Sequence, residues 1–161
     1  MDYFFGMLFA FIFGFFLIFY VVTSLCELFL FRKAGVPGWQ AFVPMLNTYR
    51  LCEIAKAKDF FIWIMIVSLM SPTVTSAFEI LNVEGISGLL SLLIYIVQIW
   101  LIAIVYKRIA ESFGYDGWGW VILMILIAPI TFLIMGLNDS KYEEPTCELF
   151  VKDYIQHFRK E

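Results

Sequence analysis

Four long stretches of the chain lack charged residues and consist mainly of apolar ones. A helix needs about 20 such residues to cross the roughly 30 Å of hydrocarbon in a bilayer. The first stretch is free of charged residues from Tyr3 to Cys26, and its helix is expected to continue to Phe31 and to stop at Arg32 and Lys33. It lacks the basic start and the small-residue cleavage site of a signal peptide, so we expect a retained span. The pattern predicts an all-α integral membrane protein with four transmembrane helices, at about residues 4–31, 60–78, 86–106 and 117–137.

The second predicted span is the least regular of the four. Its first half is strongly apolar, but residues 71–76 are mostly polar and include Pro72. A proline removes a helical hydrogen bond, and a break in a membrane helix is tolerated where protein or water satisfies the freed groups. We therefore expect this span to be kinked or unwound near Pro72.

The connection between the first two spans is too long for a tight turn and too broken to cross a membrane. Glycines and prolines interrupt it, and Trp39 and Tyr49 are residue types that prefer the headgroup level. We expect a loop and then an interfacial helix over about residues 47–58, with Asn47 or Thr48 as its N-cap. The helical membrane domain would cover residues 1–142. Residues 143–161 would form a tail with an amphipathic helix, in which Phe150, Tyr154 and Phe158 share one face.

The distribution of lysine and arginine indicates how the spans are oriented. Five basic residues lie in the connection after the first span, and Lys107 and Arg108 follow the third, whereas none lies between the second and third spans. The first and third connections are therefore predicted to be cytoplasmic, with both termini outside. The basic residues of the tail oppose this assignment, and the tail would move inside if the second span were only a re-entrant hairpin.

Composition supports a membrane protein and excludes several other classes. Apolar residues make up 62% of the chain and charged residues 16%, with a mean hydropathy of +0.87. A soluble domain of 161 residues would need more polar surface, and a net charge of −3 does not suit a nucleic-acid-binding protein. The lipid bilayer is thus the expected partner, together with a membrane protein or a second copy of the chain. The three cysteines follow neither a disulfide nor a zinc pattern.

Two polar residues within the spans are candidate functional groups, because such residues are costly in a membrane. Glu27 is either a carboxylate that couples to a proton or cation, or an interfacial acid neutralised by Arg32, Lys33 or a lipid headgroup. Its position near the end of the span favours the second interpretation. Gln98 lies near the middle of the third span and needs a hydrogen-bond partner. Ser68 and Thr131 are candidates for that partner, and a substrate contact is the alternative role.

The usual catalytic motifs do not occur in the sequence. The only histidine is His157, so an HExxH metalloprotease is excluded, and neither GxSxG nor a glycine-rich phosphate loop is present. The sequence therefore predicts no enzyme, no metal site and no cofactor.

The connections carry a pattern that resembles a known family. The first block runs from Lys33 to Ile54, and later pieces include Phe113, Gly114 and Gly136. The block residues that match are Lys33, Ala34, Gly35, Gly38, Trp39, Ala41, Pro44, Asn47, Tyr49 and Ile54, and the later ones also include Asp139, Lys141 and Tyr142. The pattern is similar to an uncharacterised family of small bacterial membrane proteins, known as a domain of unknown function. A similar membrane module precedes the catalytic domain in some type I signal peptidases.

This resemblance implies a helical domain of the bacterial inner membrane and implies neither peptidase activity nor an agreed function. Leu46 departs from it, because an aromatic residue commonly precedes the asparagine, and residues 71–88 are longer and more polar than the pattern. No peptidase domain is expected after the fourth span.

Two functional hypotheses follow from the sequence. In the first, the chain is a non-enzymatic scaffold that docks a partner through its first connection, with the candidate residues Gly35, Pro37, Gly38, Trp39, Pro44, Asn47 and Tyr49. In the second, it is a small proton-coupled transporter or channel that uses Glu27 and Gln98. A weak internal pattern at an offset of 57 residues aligns Pro72 with Pro129. It is either a repeat, which would favour the second hypothesis because transporters often contain repeats, or convergence, because spans of the same orientation share a basic flank and a tryptophan. A pore-forming lysis protein fits the size and hydrophobicity of the chain only in general terms.

Overall fold

The computed structural model describes residues 2–80, 84–146 and 148–151, and the secondary structure in these ranges is helical. One short 3-10 helix, Gly38–Phe42, precedes the second α-helix. The α-helices are α1 Asp2–Lys33, α2 Pro44–Ile54, α3 Lys58–Ile80, α4 Glu84–Ser112, α5 Trp118–Leu126 and α6 Ala128–Leu137. The all-α prediction is therefore confirmed.

Three of these helices are long and apolar enough to cross a membrane. They are α1 over Gly6–Lys33, α3 over Lys58–Ala77 and α4 over Gly88–Ser112. These segments correspond to the first three predicted spans, because length and hydropathy are local properties of a sequence. The structure therefore supports association with a membrane through three long apolar helices.

The fourth predicted span is not confirmed as a single crossing. It consists of α5 and α6, which have 9 and 10 residues and would measure about 14 and 15 Å at 1.5 Å per residue. The helices break at Ile127, whose φ and ψ are −135° and 52°, and Pro129 lies in the first turn of α6. In the first turn of a helix the backbone N–H groups have no partner within the helix, so the missing N–H of a proline costs no helical hydrogen bond there. The hydroxyl of Thr131 lies 2.8 Å from the carbonyl oxygen of Ile127 and 3.1 Å from that of Leu123, so it can satisfy a carbonyl group at the break.

Helices α5 and α6 form a hairpin whose two ends lie at the same end of the molecule. The side-chain amide of Asn138, just after α6, donates to the hydroxyl of Tyr115, just before α5, over 2.7 Å. A single straight helix from Tyr115 to Asn138 would separate these residues by about 35 Å. The shared end is that at which α1 ends at Lys33 and α4 ends at Ser112, and we call it the basic end.

The chain after α6 stays at the basic end. The amide of Glu143 donates to the carbonyl oxygen of Ser112, and the amide of Leu149 donates to that of Lys56, both over 2.8 Å. The hydroxyl of Tyr142 donates to the carbonyl oxygen of Ile54 over 3.0 Å. This segment therefore runs as a strap across the turn between α2 and α3. The amphipathic helix predicted for the tail lies outside the described residues, apart from its first few positions.

Helix α3 is continuous through Pro72, so it is not unwound there, and a kink at this proline stays a prediction. Hydroxyl groups around the proline donate to carbonyl groups one turn earlier within the helix. Thr75 donates to Ser71 and Ser76 to Pro72, each over 2.8 Å. The polar half of α3 thus satisfies its own hydroxyls without leaving the helix.

The packed core lies in the half of the molecule nearest the basic end. It includes residues from α1, α4, α6 and the connections, among them Leu30, Phe31, Ile104, Ile109, Phe113, Phe132 and Met135. Close contact between α1 and α6 depends on Gly136, because a Cβ atom there would lie 2.7 Å from Cβ of Phe29. The other half of α1 is apolar and exposed, which suits a helix that contacts lipid.

The connection between α1 and α3 follows α1 rather than lying apart from it. Gly38 packs against Leu28, where a Cβ atom would come within 2.9 Å of Cγ. Four residues later, the carbonyl oxygen of Phe42 accepts a hydrogen bond from the hydroxyl of Tyr20 over 3.0 Å. The 3-10 helix therefore runs back along α1, and α2 returns towards the basic end. Helix α2 begins at Pro44, three residues before the predicted N-cap, so Asn47 lies within the helix.

Candidate functional site

Glu27 is the buried acid of α1, with 4% of its surface exposed. Oε2 of its carboxylate accepts a hydrogen bond from Nδ2 of Asn47 over 2.5 Å. This bond joins the first transmembrane helix to α2, although the two residues are 20 positions apart in sequence. The structure thus brings together one predicted intramembrane residue and one predicted docking residue.

Among the residues that the structure describes, Glu27 forms no ion pair with Arg32 or Lys33, and its neutralisation by a lipid headgroup stays a prediction. The ion pairs in these ranges join other acids. Lys33 instead donates from Nζ to the carbonyl oxygens of Met135 and Asn138, over 2.7 and 2.6 Å. These carbonyl groups are at the C-terminal end of α6, where a cation complements the helix dipole. Lys33 therefore caps the hairpin instead of pairing with Glu27.

Two further polar residues lie on the face of α1 that carries Glu27. Tyr20, Ser24 and Glu27 follow one another at spacings of four and three residues, which places them on one side of the helix. Ser24 is fully buried, and its Oγ atom has no hydrogen-bond partner among the described residues. Ser24 could not be predicted as part of this site, because a serine in an apolar run gives no sign of the element that covers it.

The seven candidate docking residues divide into a frame, whose members pack against other parts of the protein, and an exposed surface. Asn47 and Tyr49 belong to the frame, since Asn47 binds Glu27 and the ring of Tyr49 packs edge-on against that of Phe61 at 5.4 Å. Gly38 also belongs to it through its contact with Leu28. Gly35, with a φ of +75°, forms the turn after α1. The exposed candidates are Pro37, Trp39 and Pro44, with Gly35 beside them.

The exposed side of the connection is apolar. Trp39 is 61% exposed and Met45 is 64% exposed. Phe42 and Val43, between them, are also exposed. We call these four residues the apolar rim. The opposite side of the same segment is closed, because Gln40 and Ala41 are buried.

Gln98 has the partner that the sequence analysis considered for it. Its Nε2 donates to Oγ of Ser68 on α3 over 2.7 Å. Thr131, the other candidate, binds backbone carbonyls in its own hairpin. A second rung, between the hydroxyls of Thr75 and Ser91 at 3.1 Å, lies seven residues away on each helix. Gln98 therefore contributes to a ladder of polar contacts that joins α3 to α4.

Two cavities meet at the pair formed by Ser68 and Gln98. The first, of about 420 Å³, lies between α3 and α4 and is also lined by Ser71 and Tyr95. The second, of about 200 Å³, extends towards α2 and is lined in part by Cys52. Together they give a mainly apolar space, with the polar groups of Ser68 and Gln98 where the two cavities meet.

The turn from α2 to α3 carries a charged cluster at the basic end. Glu53 forms ion pairs with Arg50, one turn earlier, and with Lys58 at 3.1 Å. Partial burial acts to raise the pKa of Glu53, but hydrogen bonds from Arg50 and Lys58 outweigh it and hold the pKa below its usual range. Burial raises the pKa of the neighbouring Cys52 thiol to about 12, so this cysteine is a poor nucleophile at neutral pH.

The fold and this site define a helical protein of the membrane type, in which a rigid connection packs on the first of three long apolar helices. The chain belongs to the family of unknown function DUF5684, which matches residues 39–145. The match confirms the resemblance to a domain of unknown function, whereas the likeness to signal peptidase modules and the bacterial origin stay predictions. No curated protein and no solved structure matches the chain significantly.

Proposed function

We propose that the chain is a non-enzymatic membrane module that docks another membrane protein through its apolar rim, Trp39, Phe42, Val43 and Met45. The observation that carries the proposal is the contrast between the two sides of this segment. Its inner side is held on α1 by Gly38 and by the hydrogen bond from Tyr20 to Phe42. A rim that is already ordered loses little conformational entropy on binding, which favours recognition.

We further propose that the basic end faces the cytoplasm of a bacterial cell. Lysine and arginine collect at this end, where Lys56 pairs with Glu144 at 3.0 Å and Lys107 lies 5.1 Å from the ring centre of Trp118. An excess of these residues in short connections is typical of cytoplasmic loops. With α5 and α6 as a hairpin, Lys141 lies at the same end. The basic tail then no longer opposes the orientation.

Site-specific photo-crosslinking in native membranes tests the docking role. A photoreactive amino acid at position 39 or 45 should give one discrete protein adduct. The matched control is position 118, because Trp118 is also exposed at 55% but lies on α5. The adduct should disappear when Met45→Ala is combined with the probe at position 39, while the amount of chain in the membrane stays unchanged. Adducts with lipid alone at positions 39 and 45 would contradict the proposal.

A small proton-coupled transporter or channel is the second candidate, and the two cavities that share Ser68 and Gln98 favour it. In this alternative, Glu27 would exchange protons and Gln98 would contact the solute. Uptake into proteoliposomes under a proton gradient should then be lost in Glu27→Gln and reduced in Gln98→Leu. Equal uptake by the parent chain and by both variants would exclude this role.

A further inference from the structure

The carboxylate of Glu27 is buried in α1 without a cationic partner among the residues that the structure describes. Only 4% of the residue is exposed, and the ion pairs of residues 2–80, 84–146 and 148–151 do not include it. The single amide bond from Asn47 does not cancel a full negative charge. An isolated buried carboxylate is costly by several kcal/mol, so a further group must balance it.

The surroundings of this carboxylate contain oxygen atoms that lack donors. Oγ of Ser24 and Oδ1 of Asn47 are buried and have no hydrogen-bond partner among the described residues. Ser24 lies three residues before Glu27 on the same face of α1, where neighbouring Cβ atoms are about 5–6 Å apart. Oδ1 of Asn47 belongs to the same amide group that donates to Glu27. Both oxygens are therefore beside the carboxylate.

A third oxygen comes from the 3-10 helix. This element contacts α1 at Leu28 through Gly38 and at Tyr20 through the carbonyl group of Phe42. Gln40 is midway between these contacts, at the level of Ser24. It is 7% exposed, and its buried Oε1 likewise has no partner in the described part of the chain. Three elements thus each carry a buried oxygen without a partner among the described residues, along the same stretch of α1.

We propose that Glu27, Ser24, Gln40 and Asn47 bind a monovalent cation, sodium or potassium. Carboxylate, amide and hydroxyl oxygens are ligands for hard cations, whereas softer transition metals prefer imidazole or thiolate ligands. The described residues hold no group of three or more histidine, cysteine or acidic side chains that suits such a metal. A single positive charge balances the single carboxylate. A proton would balance the charge too, but it would leave at least two of the three oxygens without a donor.

The cation has a structural consequence that does not depend on the docking role. Its ligands come from α1, the 3-10 helix and α2, so it ties the connection to the first transmembrane helix. An ion that binds only the folded chain stabilises it in proportion to the logarithm of its concentration above Kd. The stability of the protein should therefore depend on the type of monovalent cation, whether or not a partner binds the apolar rim.

Thermal unfolding of the full chain in detergent tests this proposal. Tryptophan fluorescence is followed in sodium, potassium or choline chloride at constant ionic strength. Either sodium or potassium should raise the midpoint above that in choline, by about 3–5 °C at a tenfold excess over Kd. The shift should be lost in Glu27→Gln and reduced in Ser24→Ala. Thr23→Ala is the matched control, because that hydroxyl donates to the carbonyl oxygen of Phe19 within α1, and it should keep the full shift.

Two outcomes would overturn the proposal. Equal midpoints in all three salts for the parent chain would mean that water fills the site. A midpoint that rises on acidification in choline, with no effect of sodium or potassium, would mean that a proton balances Glu27. The titratable neighbours of the carboxylate, Cys26 on α1 and Tyr106 on α4, carry no positive charge that could imitate the cation. The salt series on the parent chain decides the question even if Glu27→Gln does not fold.

Discussion

Asn47 donates a hydrogen bond to Glu27 over 2.5 Å and thereby fastens the connection to the first transmembrane helix. A second hydrogen bond, from the hydroxyl of Tyr20 to the carbonyl oxygen of Phe42, joins the same connection to α1. Because the acceptor is a buried carboxylate, loss of the donor leaves a charged group without its protein partner. The pair is therefore more important for the position of α2 than a surface contact would be.

We expect Asn47→Ala to lower the free energy of unfolding by about 1–3 kcal/mol, since it leaves Glu27 without this donor. Thermal unfolding in detergent measures the change. Thr48→Ala serves as the control, because the hydroxyl of Thr48 donates only to the carbonyl oxygen of Pro44 within α2. Its effect should stay within about 0.5 kcal/mol. Equal losses for the two variants would show that the bond to Glu27 has no special role.

Gly136 allows α6 to approach α1 closely, and this contact gives a second prediction. A Cβ atom at this position would lie 2.7 Å from Cβ of Phe29 and 2.9 Å from the backbone nitrogen of Leu30. Backbone atoms of a packed helix cannot move aside easily, so the helices must separate. We expect Gly136→Ala to destabilise the protein by about 1–3 kcal/mol, despite the better helix propensity of alanine.

The control for Gly136 is Gly119→Ala on α5. A Cβ atom at Gly119 meets nothing within 4 Å. That substitution should leave the unfolding midpoint unchanged or raise it slightly, because alanine favours the helix. A comparable loss at both positions would contradict the close approach of α6 to α1.

The three long helices could be predicted from the sequence because their signals are local. Hydropathy and length over about 20 residues are enough to identify a span. The pairing of Gln98 with Ser68 was also accessible, since a mid-membrane amide needs a partner and few polar residues lie at that depth. The bond from Asn47 to Glu27 was not, because nothing in the sequence indicates that the connection folds back along α1.

Pro72 and Pro129 show why the fourth span was harder to predict. They occupy equivalent positions in the pattern with the 57-residue offset, yet α3 continues through the first and the chain breaks before the second. The difference lies in long-range contacts of the second segment. Lys33 binds the carbonyl groups at the end of α6, more than 100 positions away in sequence, and this interaction holds the hairpin at the basic end. A hydropathy profile does not contain that information.

The ion pairs of Glu53 predict how the stability of the α2–α3 turn depends on pH. The pKa of Glu53 is lower in the folded chain than in the unfolded one, so its stabilising effect is present above the unfolded pKa of about 4.3. The effect is lost as the pH falls through the lower folded pKa. We expect the midpoint temperature of unfolding of the parent chain to decrease once the pH is lowered below about 4.5. The midpoint of Glu53→Gln should decrease less.

The pair between Lys107 and Glu111 supplies the control for this pH series. It joins residues one turn apart on α4 at 3.7 Å, a longer separation than the 3.1 Å between Lys58 and Glu53, and a long, part-exposed pair of this kind contributes little to stability. Glu111→Gln should therefore leave the acid dependence of the midpoint as it is in the parent chain. Parallel pH profiles for the parent chain and Glu53→Gln would contradict the stabilising role of the Glu53 cluster.

The hairpin of α5 and α6 predicts which residues share one side of the membrane. Asp116 and Asp139 flank the hairpin and are exposed at the basic end, whereas Asp2 begins α1 at its opposite end. In a chain with its native cysteines replaced by serine, we expect Asp116→Cys and Asp139→Cys to be labelled by a membrane-impermeant maleimide from the same side. That side should be the cytoplasmic one, so both should react in inverted vesicles and not in intact cells. Asp2→Cys should react in intact cells. A through-going fourth span would instead put Asp139→Cys with Asp2→Cys, and that result would exclude the hairpin.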